Sequence, residues 1–168
     1  MGTRRRGREC ALQLMYMWEY QKEGRFDTSA FWFELPQEEK ATRVFAERLI
    51  EGVTQNLEHV DKLIRDASTN WRLDRMANVD RNILRLATWE LENIAETPLK
   101  VVLNEAIELS KRFGSEDSSA FVNGVLDRIG TMLRPGARNG AGEEGQAGEV
   151  QAGEVQAASG VVEAQEQA

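Results

Sequence analysis

Apolar residues recur along this chain at helical spacing, and no segment alternates in the way a half-buried strand would. Ala11, Leu14, Met15 and Trp18 fall at i, i+3, i+4 and i+7, which predicts a first helix that buries one stripe and ends near Gly24. A short aromatic turn is expected around Phe31, Trp32 and Phe33. A second long helix carries Phe45, Ala46, Leu49, Ile50 and Val53, and a third carries Leu57, Val60, Ile64 and Ala67. After an irregular stretch through Trp71, a fourth presents Val79, Ile83, Leu86, Ala87, Leu91 and Ile94. Thr97-Pro98 reads as a stop followed by a start, with Thr97 as N-cap and Pro98 at the first helical position. The fifth helix should reach Phe113. Gly114 is expected to close it in the left-handed conformation, and Ser115 to Ser118 to cap the last helix, whose core face is Val122, Val125, Leu126, Ile129 and Met132 or Leu133. The expected fold is all-α, a bundle of six or seven helices in two packed three-helix-like halves that meet near residue 71.

Composition changes sharply near the C-terminus. Residues 136–168 turn to Gly, Ala, Glu, Gln and Val without aromatics, and the unit Gln-Ala-Gly-Glu-Val occurs at 146–150 and again at 151–155. This division predicts a helical domain over 1–135 and a disordered low-complexity acidic tail over 136–168, too poor in apolar surface to offset the entropy of ordering it. The tail also alters the meaning of the net charge. It holds six acids against one base, a net −5, which leaves −2 of the chain's −7 for the first 135 residues. Within that nearly neutral body Arg4, Arg5, Arg6 and Arg8 crowd together. Arginines at a helix entrance oppose the helix dipole. Together with the first-turn N–H groups they suit a phosphate ligand, although basic chain ends are also common as plain solvated termini. The stretch Phe113-Gly114-Ser115-Glu116-Asp117-Ser118-Ser119-Ala120-Phe121 mixes aromatics with a helix start. It reads either as a surface for stacking bases or as two hydrophobic bookends at a helical corner.

Other chemistry finds little support. The longest apolar runs are far shorter than the roughly 20 residues of a membrane span, and no secretory signal is visible, so a cytoplasmic protein without membrane contact is expected. Cys10 is the only cysteine and His59 the only histidine. Cys10 reads as a small helix-face residue, His59 as an exposed one with no nucleophile or metal-ligand partner, and no phosphate loop, dinucleotide fingerprint or zinc pattern is present. No catalysis, metal or cofactor is expected.

Three segments then stand in order: Arg4-Arg5-Arg6-Gly7-Arg8-Glu9-Cys10-Ala11-Leu12-Gln13, Asn104-Glu105-Ala106-Ile107-Glu108-Leu109, and Phe121-Val122-Asn123-Gly124-Val125-Leu126-Asp127. With Phe113-Gly114 between the last two, the chain from about Thr3 to Pro135 resembles the NusB family of transcription antitermination factors. The resemblance implies a protein that binds the boxA element of leader RNA in ribosomal RNA operons together with NusE, a small-subunit ribosomal protein. Other Nus factors and RNA polymerase would be indirect partners. Carried over by position, the resemblance assigns RNA contact to Arg4, Arg5, Arg6 and Arg8, to Tyr16 on the same helix, and to Phe113, Asp117 and Phe121 at the aromatic corner. It places Asp80 on the NusE-facing side. Ala120 stands where familiar members have a basic residue, so one phosphate contact is expected to be absent or supplied elsewhere. Asn104, Glu105, Asn123 and Gly124 are expected to be structural, through internal hydrogen bonds and close packing. Two other readings remain: a helical protein-protein adaptor without RNA binding, and the RNA-binding domain found in ribosomal RNA cytosine methyltransferases, which would need a further cofactor-binding domain after Pro135.

Overall fold

The computed structural model describes residues 2–21 and 25–137, and the fold is built from helices throughout. The expected end of the first helix near Gly24 and the tail from residue 138 onward lie outside the described residues. Seven α-helices follow one another among them: α1 (Thr3–Tyr20), α2 (Ser29–Phe33), α3 (Lys40–Gln55), α4 (Leu57–Ala67), α5 (Asn78–Asn93), α6 (Leu99–Phe113) and α7 (Ser118–Leu133), with a 3-10 turn at Leu73–Arg75 before α5. The all-α expectation is therefore met, with helices where the apolar stripes placed them.

Two groups of helices share α5. The first half packs α1 along α3 and sets both on α5. Its core joins Cys10, Ala11, Leu14 and Met15 to Phe45, Ala46, Leu49, Ile50 and Val53, all buried. The second half packs α6 and α7 on each other and on α5, with α4 laid across α5 and α7. The halves thus divide before α4 rather than near residue 71, because Val60, Ile64 and Ala67 bury themselves with the C-terminal helices. Surrounded in this way, α5 is not a one-faced helix: Asn82 through Leu91 are all buried. The charged side chains this forces inward are paired, while the Thr88 hydroxyl has no hydrogen-bond partner among the described residues. Arg85 donates from Nε and Nη2 to Asp61 of α4 at 2.8 and 2.9 Å and from Nη1 to Glu19 of α1 at 3.0 Å, as buried charge requires.

Close approach depends on small residues. A Cβ at Gly52 in α3 would lie 2.0 Å from the Trp89 ring of α5, and one at Gly7 in α1 would lie 2.7 Å from the Phe45 ring of α3. Two turn expectations need correction. Gly114 ends α6 with φ −92 and ψ −172, which any residue adopts. It is glycine because a Cβ would meet the Ser118 hydroxyl at 2.5 Å and the Ser110 carbonyl at 2.7 Å, so the α6–α7 corner folds too tightly for a side chain. Thr97 is not the cap of α6. That position belongs to Pro98, while Thr97 is buried and its hydroxyl accepts a hydrogen bond from Arg4 Nη1 at 3.0 Å. No described helix is long and apolar enough to cross a membrane.

Candidate nucleic-acid interface

The arginines of α1 occupy its first two turns, where the free N–H groups already concentrate positive charge. Three of the four guanidiniums are held there by carboxylates, most of them from distant parts of the chain, while Arg4 donates to the Thr97 hydroxyl. Arg5 meets Glu105 of α6 with Nε at 3.0 and 3.2 Å and Nη2 at 2.7 Å. Arg6 reaches Glu38 with Nε at 2.6 Å and Glu9 with Nη1 at 3.1 Å. Arg8 donates to Glu90 of α5 from Nε at 2.9 Å and Nη2 at 2.5 Å. Glu9 also takes Arg112 of α6 in a short ion pair. These bonds shift the groups in the expected directions. The hydrogen bond from Arg5 holds the Glu105 carboxyl below its usual value, and the bonds to Glu105 and Glu38 push Arg5 and Arg6 up.

The four arginines are not equivalent. Arg8 is only 5% exposed, and its bidentate pair with Glu90 pins α1 to α5. The expectation that it contacts phosphate is corrected, since no ligand reaches it without breaking a buried ion pair. Arg4, Arg5 and Arg6 reach solvent. A guanidinium has five N–H donors in a planar fork, so a carboxylate on one edge leaves donors on another. Arg5 Nη1 donates to nothing among the described residues. The acids therefore orient Arg5 and Arg6 without saturating them. Arg112, which the sequence pattern did not mark, extends the cluster, with its guanidinium 5.2 Å from the centroid of the Phe113 ring. A cleft of about 250 Å³ runs between α1 and α6 beneath Arg5, Lys111 and Arg112.

Tyr16 lies eleven residues beyond Arg5, close to three turns, so the two share a face of α1 about 16 Å apart along the axis. It is 51% exposed, and its ring lies 4.8 Å from that of Tyr20. At the α6–α7 corner Phe113 is half-buried against the core and Asp117 is exposed at the start of α7. Phe121, also half-buried, makes its ring contact with Trp71, edge-on at 5.7 Å, not with Phe113. Among the expected residues, Arg5 and Arg6 adjoin Arg112 and through it Phe113, Phe121 stands with Trp71, and Arg4 turns to Thr97 and the Phe45 ring. Tyr20, Trp71 and Arg112 are the members that sequence patterning missed. Trp71 and Tyr20 sit singly among polar neighbours, and no spacing rule told whether their rings would be covered by a distant helix.

The remaining sequence expectations divide. Asp80 is 7% exposed in the first turn of α5, where the helix dipole favours a carboxylate, and its Oδ1 has no hydrogen-bond partner among the described residues. That burial corrects the expectation of a partner-facing side chain. Glu105 has the internal bonds expected of it, but Asn104, Asn123 and Gly124 are exposed, contrary to the packing expected of them. His59 pairs with Glu92 at 2.7 Å on the surface, and burial pushes the Cys10 thiol up. No cluster of three or more His, Cys, Asp or Glu suited to a metal occurs among the described residues.

Known proteins match this arrangement over most of the chain. The model of the NusB family matches residues 5–131. The transcription antitermination protein NusB of Sorangium cellulosum is 52% identical over 134 residues, covering 79% of this chain and 95% of that protein. That of Anaeromyxobacter dehalogenans strain 2CP-1 is 52% identical over 136 residues, covering 80% and 95%. Among solved structures, T. maritima NusB superposes with a TM-score of 0.72 at 37% identity, covering 82% of this chain and 96% of that one. A chain from the crystal structure of the antitermination factors NusB and NusE in complex with double-stranded RNA gives a TM-score of 0.67 at 26% identity, covering 79% and 98%. With a family match spanning residues 5–131 and relatives 52% identical over most of their length, the chain belongs to the NusB family.

Proposed function

We propose that this protein is a transcription antitermination factor that binds boxA-type RNA of ribosomal RNA operons together with NusE, acting as a clamp and not as a catalyst. The observation that carries this reading is the row of Arg4, Arg5 and Arg6 on α1, open to solvent, with Arg5 and Arg6 held in order by carboxylates and Arg112 close by over Phe113. Planar guanidiniums with donors to spare suit phosphate oxygens, and the aromatic residues nearby offer faces on which unpaired bases stack. The likeness to a NusB chain assembled with NusE and RNA supports both partners. In this account the arginines hold the RNA backbone, Tyr16, Phe113, Asp117 and Phe121 meet its bases, and another helical face docks NusE. Adjoining ligands then raise each other's affinity reciprocally.

Fluorescence anisotropy of a short boxA-type single-stranded RNA against a scrambled control, across a salt series, tests the proposal. Three solvent-facing arginines predict a log-log salt slope of about −2. Replacing Arg4, Arg5 and Arg6 by Ala removes most of the binding and flattens the slope, while the protein stays folded. Equal binding of both RNAs, or full binding by the triple variant, rejects the reading.

A further inference from the structure

Gly124 lies in the middle of α7, exposed, and a Cβ built there would meet no heavy atom within 4 Å. Other helical glycines have a neighbour that requires them: Phe45 at Gly7, Trp89 at Gly52 and Leu99 at Gly130, each at 2.7 Å or less. Glycine in a helix interior weakens the helix relative to alanine, and nothing inside this molecule compensates for that at position 124. Ala120, one turn earlier, is exposed as well. The backbone of α7 is therefore bare along one strip, directly beside Phe121.

Trp71 stands over that strip. It is 59% exposed, and its only ring contact among the described residues is the edge-on one with Phe121. Between Trp71 and the bare strip opens a cleft of about 200 Å³, with Asn70 and Arg128 at its rim and no acid in its lining. Arg128 is held at the rim by Nη1 hydrogen bonds to the Ala67 carbonyl and the Thr69 hydroxyl. On its other side Trp71 borders a larger cleft that contains Arg65 and Arg72, where Arg72 pairs through Nε and Nη2 with Asp74, the one acid lining it, at 3.1 and 2.9 Å and keeps its other edge open. A flat apolar floor, an aromatic wall, an amide at the rim and guanidiniums on both sides together match one kind of occupant. Bases stack on aromatic faces, and their phosphates are drawn to arginine.

We propose that the cleft between Trp71 and Gly124 takes a single unpaired nucleobase, stacked on the Trp71 ring and lying flat against the α7 backbone, with its flanking phosphates toward Arg128 and Arg72. The proposal rests on the RNA-binding reading and adds to it a base site with residues outside those expected from the sequence. Gly124 is then glycine because the base must approach the helix closely, and any side chain would occupy its place.

The test uses the full chain and short single-stranded boxA-type RNA. Trp32 and Trp89 are buried and Trp18 half-buried, so quenching of tryptophan emission by RNA reports chiefly on Trp71. Trp71→Phe removes most of that quenching and retains much of the affinity, whereas Trp71→Ala weakens binding by about tenfold, the loss of one base stack. Gly124→Leu weakens RNA binding at least as much and at the same time raises the unfolding midpoint, a combination that a purely structural glycine does not give. Unchanged affinity in both Trp71→Ala and Gly124→Leu overturns the base site. If those variants lose NusE affinity instead, the cleft is a protein-docking surface and the proposal fails equally. The RNA reading is scored separately by the parent chain and the triple arginine variant. Parent binding that depends on the arginines but not on Trp71 or Gly124 rejects the cleft alone, and no parent binding rejects both.

Discussion

Glu105 shows how one carboxylate serves both stability and readiness for a ligand. Its oxygens accept both edges of the Arg5 hydrogen bonding, and Arg8 Nη1 stands 3.7 Å away. Bonded to Arg5 first of all, the carboxyl titrates below its ordinary value of 4.5. The sign follows directly. A folded-state pKa below the unfolded one contributes stability that is fully present above the unfolded value and is lost as the pH falls through the folded one. Glu105→Gln therefore lowers stability at neutral pH and leaves a shallower loss on acidification, read from urea unfolding at pH 7 and at about pH 3. The same substitution removes the carboxylate that orients Arg5, so RNA affinity falls a few-fold at neutral pH. A rise in affinity means that Glu105 competes with RNA for Arg5 instead of positioning it.

Between elements, the decisive contact is the buried Arg8–Glu90 pair that joins α1 to α5. It ties the helix bearing the arginines to the helix on which both halves of the molecule pack. Removing one partner of a buried pair leaves an uncompensated charge and costs about 3–5 kcal/mol. Glu90→Ala should lose stability on that scale by denaturant unfolding, and the apolar double replacement Arg8→Met/Glu90→Leu should recover most of it. A loss below about 1 kcal/mol in the single variant contradicts a structural role for Arg8. Apolar spacing located each helix to within about a turn, because a stripe at 3.6-residue spacing is a local property. The partners of the stripe residues are not local. Arg8 and Glu90 are 82 residues apart and Arg5 and Glu105 are 100 apart, and no spacing rule connects them. The same is true of Gly114, whose need for glycine comes from Ser118 and Ser110 across a corner.

At the scale of the whole molecule, charge is unevenly divided. The first 135 residues are close to neutral and residues 136–168 carry −5, although all seven described helices end by Leu133. We expect a chain ending at Ala137 to unfold at the same midpoint as the parent. It should bind RNA more tightly at low salt, because a like-charged segment raises the cost of bringing a polyanion to the surface and that cost is screened as salt increases. Calorimetry and the anisotropy series check both parts. A lower midpoint would show that the helical domain needs the tail.

By itself the sequence determined the helices, the all-α class, the concentration of arginines at one end of α1 and the resemblance to a family, since stripes, charge runs and ordered motifs are written in neighbouring residues. Tertiary structure decided what each group does. Folding turned Arg8 inward and left Arg4, Arg5 and Arg6 outward, buried Asp80, set Arg112 over Phe113, and left Trp71 and Gly124 uncovered side by side. The physical reason is the same in each case: exposure and ion pairing depend on which distant helix arrives opposite, and that is settled only when α5 has been enclosed on all sides.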